Sequence, residues 1–567
     1  MECSASEYSL VLPYGSHSSD ECGYCKGTNE GLHTTWGMGT ERLTVSDYQY
    51  LIDRGWRRSG TYCYKPLNEV TCCPCYTIRC DALAFRPSRS HKRVIRNVAT
   101  FLKTGRYNFV KTSTRYPGPS NSPYQRGSSL LLTAGGDIPS IPPKNARCLL
   151  PEDSRNILAQ QISAAGDRPI EPSVASNACS SPVQLLSGPH RGGSVVVLPS
   201  RQAKSSKSRI RRWNAKLLRM KEKAEREKRS VEEIFEEYNK RRQMRLRKNR
   251  PKELEDLLQC IPTKEGACHT IEIRLVRSQP PSAAFQRTIE LEHLVYQEYQ
   301  MKVHHDEPSK CDMKSFTRFL VNSPLVLDSE QESGVTSDAA PQFGSYHQQY
   351  WLDDEKLIAV GVVDLLPKCL SSVYLFYDPD YSFLQLGTYS ALREIAFVRE
   401  IARQFGPTSL SPDSRYADFT SYYMGYFIRS CPKMSYKAKF QPSYLACPET
   451  YTWVPLQQCL VLLNSYSNGK YCRFSPPSET DQFAIDTLIG NDPSSVDQHI
   501  LCHIRYEANR KRKSQYAPKD DLCSLSPAIQ LDRLKSNLNP NYVNTLREWA
   551  VLVGKRAVDG HIRVKFD

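Results

Sequence analysis

Apolar and polar positions recur with a clear period in two long stretches of the chain and lose that period between them. In the first stretch, residues 46–49 (Ser-Asp-Tyr-Gln) predict a capping box that opens a helix, and Gly55 predicts its end. Residues 61–64 and 75–79 predict strands, and residues 94–102 a second helix. In the second stretch, residues 270–275 alternate as a half-buried strand, and residues 289–303 and 313–321 have helical spacing. Residues 328–341 predict a loop. Three strands follow, at 343–351, 357–365 and 373–377, then a helix at 387–405 and an aromatic strand at 422–428. Three strands, a long helix and one more strand match the core order of the acetyltransferase-like (GNAT) fold. A last helix is expected over 543–553.

These patterns predict an α+β protein: an N-terminal cysteine-rich, metal- or cluster-binding domain followed by a GNAT-like C-terminal domain. The expected boundaries are a loose N-terminus at 1–21, the cysteine-rich domain at 22–111, a disordered linker at 112–208, a basic charged helix at 209–268, the GNAT-like domain at 269–472 and an extension at 473–567. The linker is rich in Pro, Gly and Ser. The basic helix carries only a thin apolar stripe of Trp213, Leu217, Met220 and Ala224. It reads either as a solvated helix or as an arm for nucleic acid or a partner. No internal repeat is evident.

Charge sharpens this picture. In 567 residues, 76 Lys and Arg stand against 60 Asp and Glu, a net +16 that favours an anionic partner. No apolar run has the length of a membrane span. Twenty cysteines would suit a disulfide framework, but the start Met1-Glu2-Cys3-Ser4 lacks the charged and apolar regions of a secretory signal. The expected location is therefore the reducing cytoplasm and nucleus, where clustered cysteines act as ligands or reactive thiols.

The candidate chemistry falls in three places. Cys22-Gly-Tyr-Cys25 and Cys72-Cys73-Pro-Cys75 are two sulfur groups flanking a folded segment, as a metal or cluster needs. The basic run Arg86-Pro-Ser-Arg89-Ser-His91-Lys92-Arg93 follows at once. Asp364 shares a strand face with Val360 and Val362, and Glu394 a helix face with Val398, Ile401 and Phe405. A carboxylate in such surroundings is an ion pair, a cap or a group poised for proton transfer. The segment 422–440 interleaves aromatics with Lys433, Lys437 and Lys439, which suits an unpaired nucleic-acid end or a nucleotide-bearing acyl donor, or is plain core. No glycine-rich phosphate loop precedes the helix at 387, which counts against a coenzyme A donor. His347 reads as structural.

Several segments together resemble one family. Cys22-Gly-Tyr-Cys-Lys-Gly27, Cys72-Cys-Pro, Tyr76-Thr-Ile-Arg79 and Phe85-Arg-Pro-Ser-Arg-Ser-His-Lys92 resemble the N-terminal domain of eukaryotic arginyl-tRNA–protein transferases. Gly344-Ser-Tyr-His-Gln-Gln349, Gly361-Val-Val-Asp-Leu-Leu-Pro367, Tyr374-Leu-Phe-Tyr-Asp-Pro379, Tyr389-Ser-Ala-Leu-Arg-Glu394 and Tyr422-Tyr-Met-Gly425 resemble their C-terminal domain. The resemblance implies transfer of arginine from arginyl-tRNA to proteins beginning with Asp, Glu or oxidised Cys, marking them for N-terminal-rule, ubiquitin-dependent degradation. It implies an iron–sulfur cluster on Cys22, Cys25, Cys72 and Cys73. Cys75 is an extra cysteine that creates a second C-x-x-C, so zinc is the alternative. Asp364 and Glu394 are then the candidates for base and arginine-binding carboxylate, and His91, Lys92, Lys433 and Lys437 for binding the acidic substrate residue. The rival readings are an acetyl-coenzyme A N-acetyltransferase and a metal-stabilised tRNA- or RNA-binding adaptor without catalysis.

Overall fold

The computed structural model describes residues 8–29, 31–106, 148–149, 206–248, 252–259, 266–327, 339–465, 471–476, 493–507, 523–525 and 528–566. The chain divides into two compact units, one of residues 1–162 and 253–567 and one of residues 163–252. The expected linker lies outside the described residues, save Cys148–Leu149 and residues 206–208. Most of the expected 328–341 loop lies outside them too.

In the larger unit, β1 (Ser9–Ser19) and β2 (His33–Thr44) form a long antiparallel pair. Helix α1 (Val45–Asp53) follows directly, capped by the Thr44 hydroxyl, which accepts from the Asp47 N–H at 3.1 Å. The cap is thus Thr44 and not Ser46; Gln49, which would close the box on Ser46, instead donates to Asp53 and accepts from the Lys368 N–H at 3.2 Å. Strands β3 (Arg57–Ser59) and β4 (Tyr62–Pro66) extend the sheet from β2. Then β5 (Tyr76–Asp81) leaves it for a second sheet. Helix α2 (Arg89–Thr104) starts earlier than its apolar spacing predicts, because Ser88 and His91 form a reciprocal capping box.

The smaller unit holds α3 (Ser206–Glu227) and α4 (Val231–Lys248). The sequence suggests one continuous helix here. It breaks at Lys228, whose φ is +51°, and Ser230 caps the next helix through the Glu233 N–H. The break lets Met220 and Ala224 bury against Ile234, so the thin stripe finds a partner within the unit.

Back in the larger unit, β6 (Ile271–Gln279), α5 (Ala283–Tyr299), β7 (Gly344–Leu352), β8 (Lys356–Leu366), β9 (Cys369–Tyr377), α6 (Leu386–Phe405) and β10 (Ser421–Phe427) follow the expected order. Strands β6, β7, β8 and β9 are antiparallel neighbours, and β10 joins β9 in parallel. On its other side β10 pairs with β5, and β5 pairs with β11 (Ser443–Ala446). A strand from the cysteine-rich segment is therefore built into the C-terminal sheet. The C-terminal tail, whose sequence shows little pattern, closes the first sheet. It supplies β12 (Leu501–Glu507), α7 (Pro540–Val553) and β13 (Ile562–Phe566), and β13 pairs with β1 and β12. The buried indoles of Trp36 and Trp56 bond Glu548 and the Leu552 carbonyl of α7, which fixes this closure.

Candidate active site and metal centre

Strands β9 and β10 pair only at Cys369–Ser421, Leu370–Tyr422 and Ser371–Tyr423. Past Ser371 they make no further pair, and Ser372, Val373, Tyr374 and Leu375 are half-exposed along the open edge of β9. Parallel strands that diverge leave backbone and side chains accessible in the middle of a sheet. Helix α6 packs across this fork and buries Glu394 there, 1% exposed. The hydroxyls of Tyr422 and Ser372 reach the carboxyl, while its Oε2 has no partner among the described residues. Burial outweighs the two hydroxyls and pushes the Glu394 carboxyl up to about 7. Gly361 on β8 makes the room: a Cβ there would stand 3.2 Å from Oε1. A wall of phenols surrounds the fork. Tyr299 meets Tyr377 with ring centroids 4.8 Å apart and His304 at 5.2 Å, and Tyr374 and Tyr436 lie beside them. Burial and then the charge of Lys433 push His304 below its ordinary value.

Asp364 is also sealed from solvent, but both of its oxygens are engaged. Arg58 clamps it with Nη2 at 2.6 Å and Nε at 2.8 Å, and the Ser345 hydroxyl donates at 2.7 Å. This pair joins β3 of the first sheet to β8 of the second. Of the two acids, only Glu394 keeps a free oxygen. Glu292 and His347 form another buried pair, with the other ring nitrogen 3.2 Å from the Leu320 carbonyl, so His347 has the structural place its sequence suggests.

The four cationic candidates are not gathered together. His91 is 1% exposed, holds the α2 cap and stacks on Phe440 at 4.6 Å. Burial, aided by Lys439, lowers it to about 4, so it is neutral at physiological pH and offers no charge to an acid. Lys92 is half-buried in the first turn of α2. Lys437 is buried, donates to the Tyr426 carbonyl at 2.7 Å, and is lowered to about 7 by burial and by Arg57. Lys433 is exposed on the Pro432–Ser435 turn, near His304 at the rim of the fork.

The sulfur ligands do converge. The Sγ atoms of Cys22, Cys25, Cys72 and Cys73 all lie within 4.8 Å of one another. Cys25 and Cys72 are 3.8 Å apart, close to the edge of about 3.8 Å that a zinc–sulfur bond of ~2.3 Å gives a tetrahedron. Desolvation raises the Cys25 thiol, but the N–H groups of Asn29 and Gly27 and the neighbouring Cys22 and Cys73 outweigh it and bring it down to about 7. Burial and the neighbouring thiols push Cys72 and Cys73 the other way, above the ordinary thiol value, so four crowded sulfurs hold their protons unevenly without a cation among them. Cys75 stands outside the set: its thiol donates to the Cys73 carbonyl at 3.1 Å. The four residues can hold a metal. They pack against Tyr426 at the end of β10 and against Ile428 and Cys431 just beyond it, so the four cysteines abut the strand that forms one arm of the fork.

Two family models match the chain, described as "Arginine-tRNA-protein transferase, N terminus" over residues 20–93 and "Arginine-tRNA-protein transferase, C terminus" over residues 292–447. The first spans the four clustered cysteines and the second the fork. Arginyl-tRNA--protein transferase 1 of Drosophila melanogaster is 37% identical over 471 residues, covering 82% of this chain and 86% of the relative. The chain belongs to the arginyl-tRNA–protein transferase family. Arginyl-tRNA--protein transferase 1 of Arabidopsis thaliana is 34% identical over 494 residues, 80% of this chain and 74% of the relative. A shorter likeness, 32% over 117 residues, links 21% of the chain to 41% of an aspartate/glutamate leucyltransferase of Campylobacter jejuni. Within this family member, Ser372, Tyr299, Tyr436 and Arg58 escape sequence reasoning. Only the pairing of distant elements distinguishes them from ordinary strand and helix residues.

Proposed function

We propose that this chain transfers arginine from arginyl-tRNA to the α-amine of proteins with an acidic N-terminal residue, with Glu394 as the base that takes the amine proton. The observation that carries the role is the buried carboxyl at the fork of β9 and β10, raised to about 7 with one oxygen unpartnered. The aminoacyl ester is already activated, so the protein has to align amine and carbonyl and accept a proton. An α-amine with a pKa of about 7.7–8.0 is largely protonated at neutral pH, and a carboxylate near 7 is matched to receive that proton. The nitrogen attacks the ester carbonyl, the C–O bond to the ribose breaks, and the proton held on Glu394 can leave on the released hydroxyl. Asp364 acts through Arg58 as the brace between the two sheets and does not bind arginine. Lys433 at the rim is the cation best placed for the substrate's acidic side chain. The leucyltransferase named for aspartate and glutamate supports that selectivity.

The antiparallel β6–β9 run, the forked parallel pair and α6 support an acetyltransferase-like core, extended by β5 and β11. At the cysteine centre, the close sulfur spacing suits a single tetrahedral ion such as zinc better than an iron–sulfur cluster, whose ligands bind different irons and spread wider. A bound ion there would fix the loops that support Tyr426 and the end of β10. No described helix is long and apolar enough to cross a membrane. The free thiols fit a reducing cytoplasmic and nuclear setting and degradation of the marked proteins there.

The test is transfer of labelled arginine from arginyl-tRNA to two peptides, one beginning with Asp and one with Gly. Arginine on the Asp peptide alone is expected. Equal labelling of both would overturn the acidic selectivity, and no labelling of either would overturn the reaction.

A further inference from the structure

Away from the fork, a cavity of 440 Å³ opens between β4, the start of β5 and the 446–451 loop. Arg54 and Lys65 line it, 9% and 8% exposed. Burying a cation is costly unless an anion or several hydrogen bonds compensate it. Here neither has a carboxylate within ion-pair reach among the described residues. Lys65 donates to the Tyr451 hydroxyl at 2.9 Å, and the Arg54 guanidinium lies 3.9 Å from the centre of the same ring. The Nε of Arg54 is buried with no partner among the described residues. Of the two acids lining the cavity, Glu449 pairs with Arg473 at 3.0 Å, and Glu69 is exposed at the rim.

The surrounding backbone is shaped around these cations. Tyr451 sits at φ +57°, a left-handed conformation that side-chain-bearing residues rarely adopt. Gly554, at φ +83°, leaves space for the guanidinium: a Cβ there would stand 2.5 Å from Nη2 of Arg54. Leu67, Tyr76 and Leu552 supply apolar and aromatic wall beside the charged end. The volume falls in the range of small-ligand sites, about 300–1,000 Å³.

We infer that this cavity is a binding site for a small phosphate monoester with an apolar or aromatic body, its phosphate held by Arg54 and Lys65. Two buried cations that share one phenol and no carboxylate among the described residues are only partly compensated and call for a dianion, and a phosphate monoester carries about −1.5 to −2 near neutral pH. A single carboxylate would leave one charge unmatched. The guanidinium fork and the three-donor ammonium also suit three acceptor oxygens better than two. This site is separate from the proposed transfer chemistry, and its test needs no arginyl-tRNA.

The experiment is calorimetric titration of the full chain at fixed ionic strength with 5′-AMP, adenosine, N-acetylaspartate and inorganic phosphate. AMP is expected to saturate one site, phosphate to compete for it, and adenosine and N-acetylaspartate to bind at least about tenfold more weakly. Arg54→Gln and Lys65→Met are each expected to weaken AMP by about tenfold or more, as loss of a charge-assisted contact should. Tyr451→Phe keeps both cations and the ring, and is expected to retain most of the affinity. If either charge variant fails to fold, the ligand ranking on the unaltered chain decides by itself. Absence of saturable AMP binding, equal affinity for adenosine or N-acetylaspartate, or folded charge variants that bind AMP unchanged would each overturn the inference.

Discussion

Asp364 lies on strand β8 and Glu394 on helix α6, which packs against the same sheet; both are equally hidden from water, yet their partners differ. A guanidinium meets Asp364 edge to edge, whereas Glu394 meets two neutral hydroxyls and an unfilled oxygen. The first arrangement satisfies the charge and ties two sheets together. The second leaves ionisation expensive and the proton available near neutral pH. Burial of an acid thus says little about its task until its partner is known.

The largest expected effect breaks the comparison on the Glu394 side. Glu394→Gln should lower single-turnover arginine transfer by about 10²–10⁴-fold, the usual weight of a positioned base, while the protein stays folded. It should also stabilise the protein at neutral pH. The carboxyl's folded value of about 7 exceeds its unfolded one, so wild-type stability falls as pH rises from about 4.3 to 7. The variant lacks that loss, so its advantage should grow over the same window to on the order of 3–4 kcal/mol, most of it between the pH 5 and pH 8 at which urea titrations would be run. A variant that is slow but no more stable at pH 8 would argue against a strained, proton-holding carboxyl.

On the other side, Asp364→Asn should cost about 3–5 kcal/mol of stability, because Arg58 is left buried without its counter-charge. Whatever fraction remains folded should retain most of its turnover. Catalytic loss in fully folded Asp364→Asn would place Asp364 in the chemistry after all.

The cysteine centre offers a third contrast, between ligand and bystander. Cys22→Ser should reduce bound metal, measured by elemental analysis of anaerobically purified protein, to a small fraction of one equivalent. Cys75→Ser should leave it unchanged. Zinc without iron or sulfide would agree with the sulfur spacing, and iron with inorganic sulfide would overturn the single-ion reading.

Smaller effects test the details. The single-turnover rate should rise with pH up to about 7, roughly tenfold per unit on the acid limb, and Glu394→Gln should flatten that limb. Lys433→Ala should raise KM for an Asp peptide severalfold while changing an Asn peptide little, since an exposed cation contributes about one charge-assisted contact. An equal loss on both peptides would remove Lys433 from the selectivity.

Local structure was legible mainly in the second sheet, because helix and strand periods are written in neighbouring residues; the strands at 9–19 and 33–44 were not, and the first replaces the expected loose N-terminus because β2 and β13 pair with it. The strands at 344–352 and 356–366 and the helix at 386–405 lie within a residue or so of their expected limits. The helix at 45–53 starts earlier because Thr44 caps it while Gln49 is engaged by Asp53 and Lys368. The charged segment split where one lysine adopts a left-handed turn, which composition does not signal.

For the site, the sequence alone determined the residue types: two sulfur groups, two acids in apolar faces, and aromatics mixed with cations. Spacing and amphipathic pattern are local, so they survive without a fold. Tertiary structure decided the roles, because those depend on partners hundreds of positions apart. Arg58 lies 306 residues from Asp364, and among the described residues no comparable cation reaches Glu394. Capping and packing turned His91 from a basic-patch residue into a neutral core one, and β5 crossed from the cysteine-rich segment into the other sheet. Charge, burial and hydrogen bonding act through space, so the same side chain becomes a brace, a base or a bystander only once its neighbours have been folded against it.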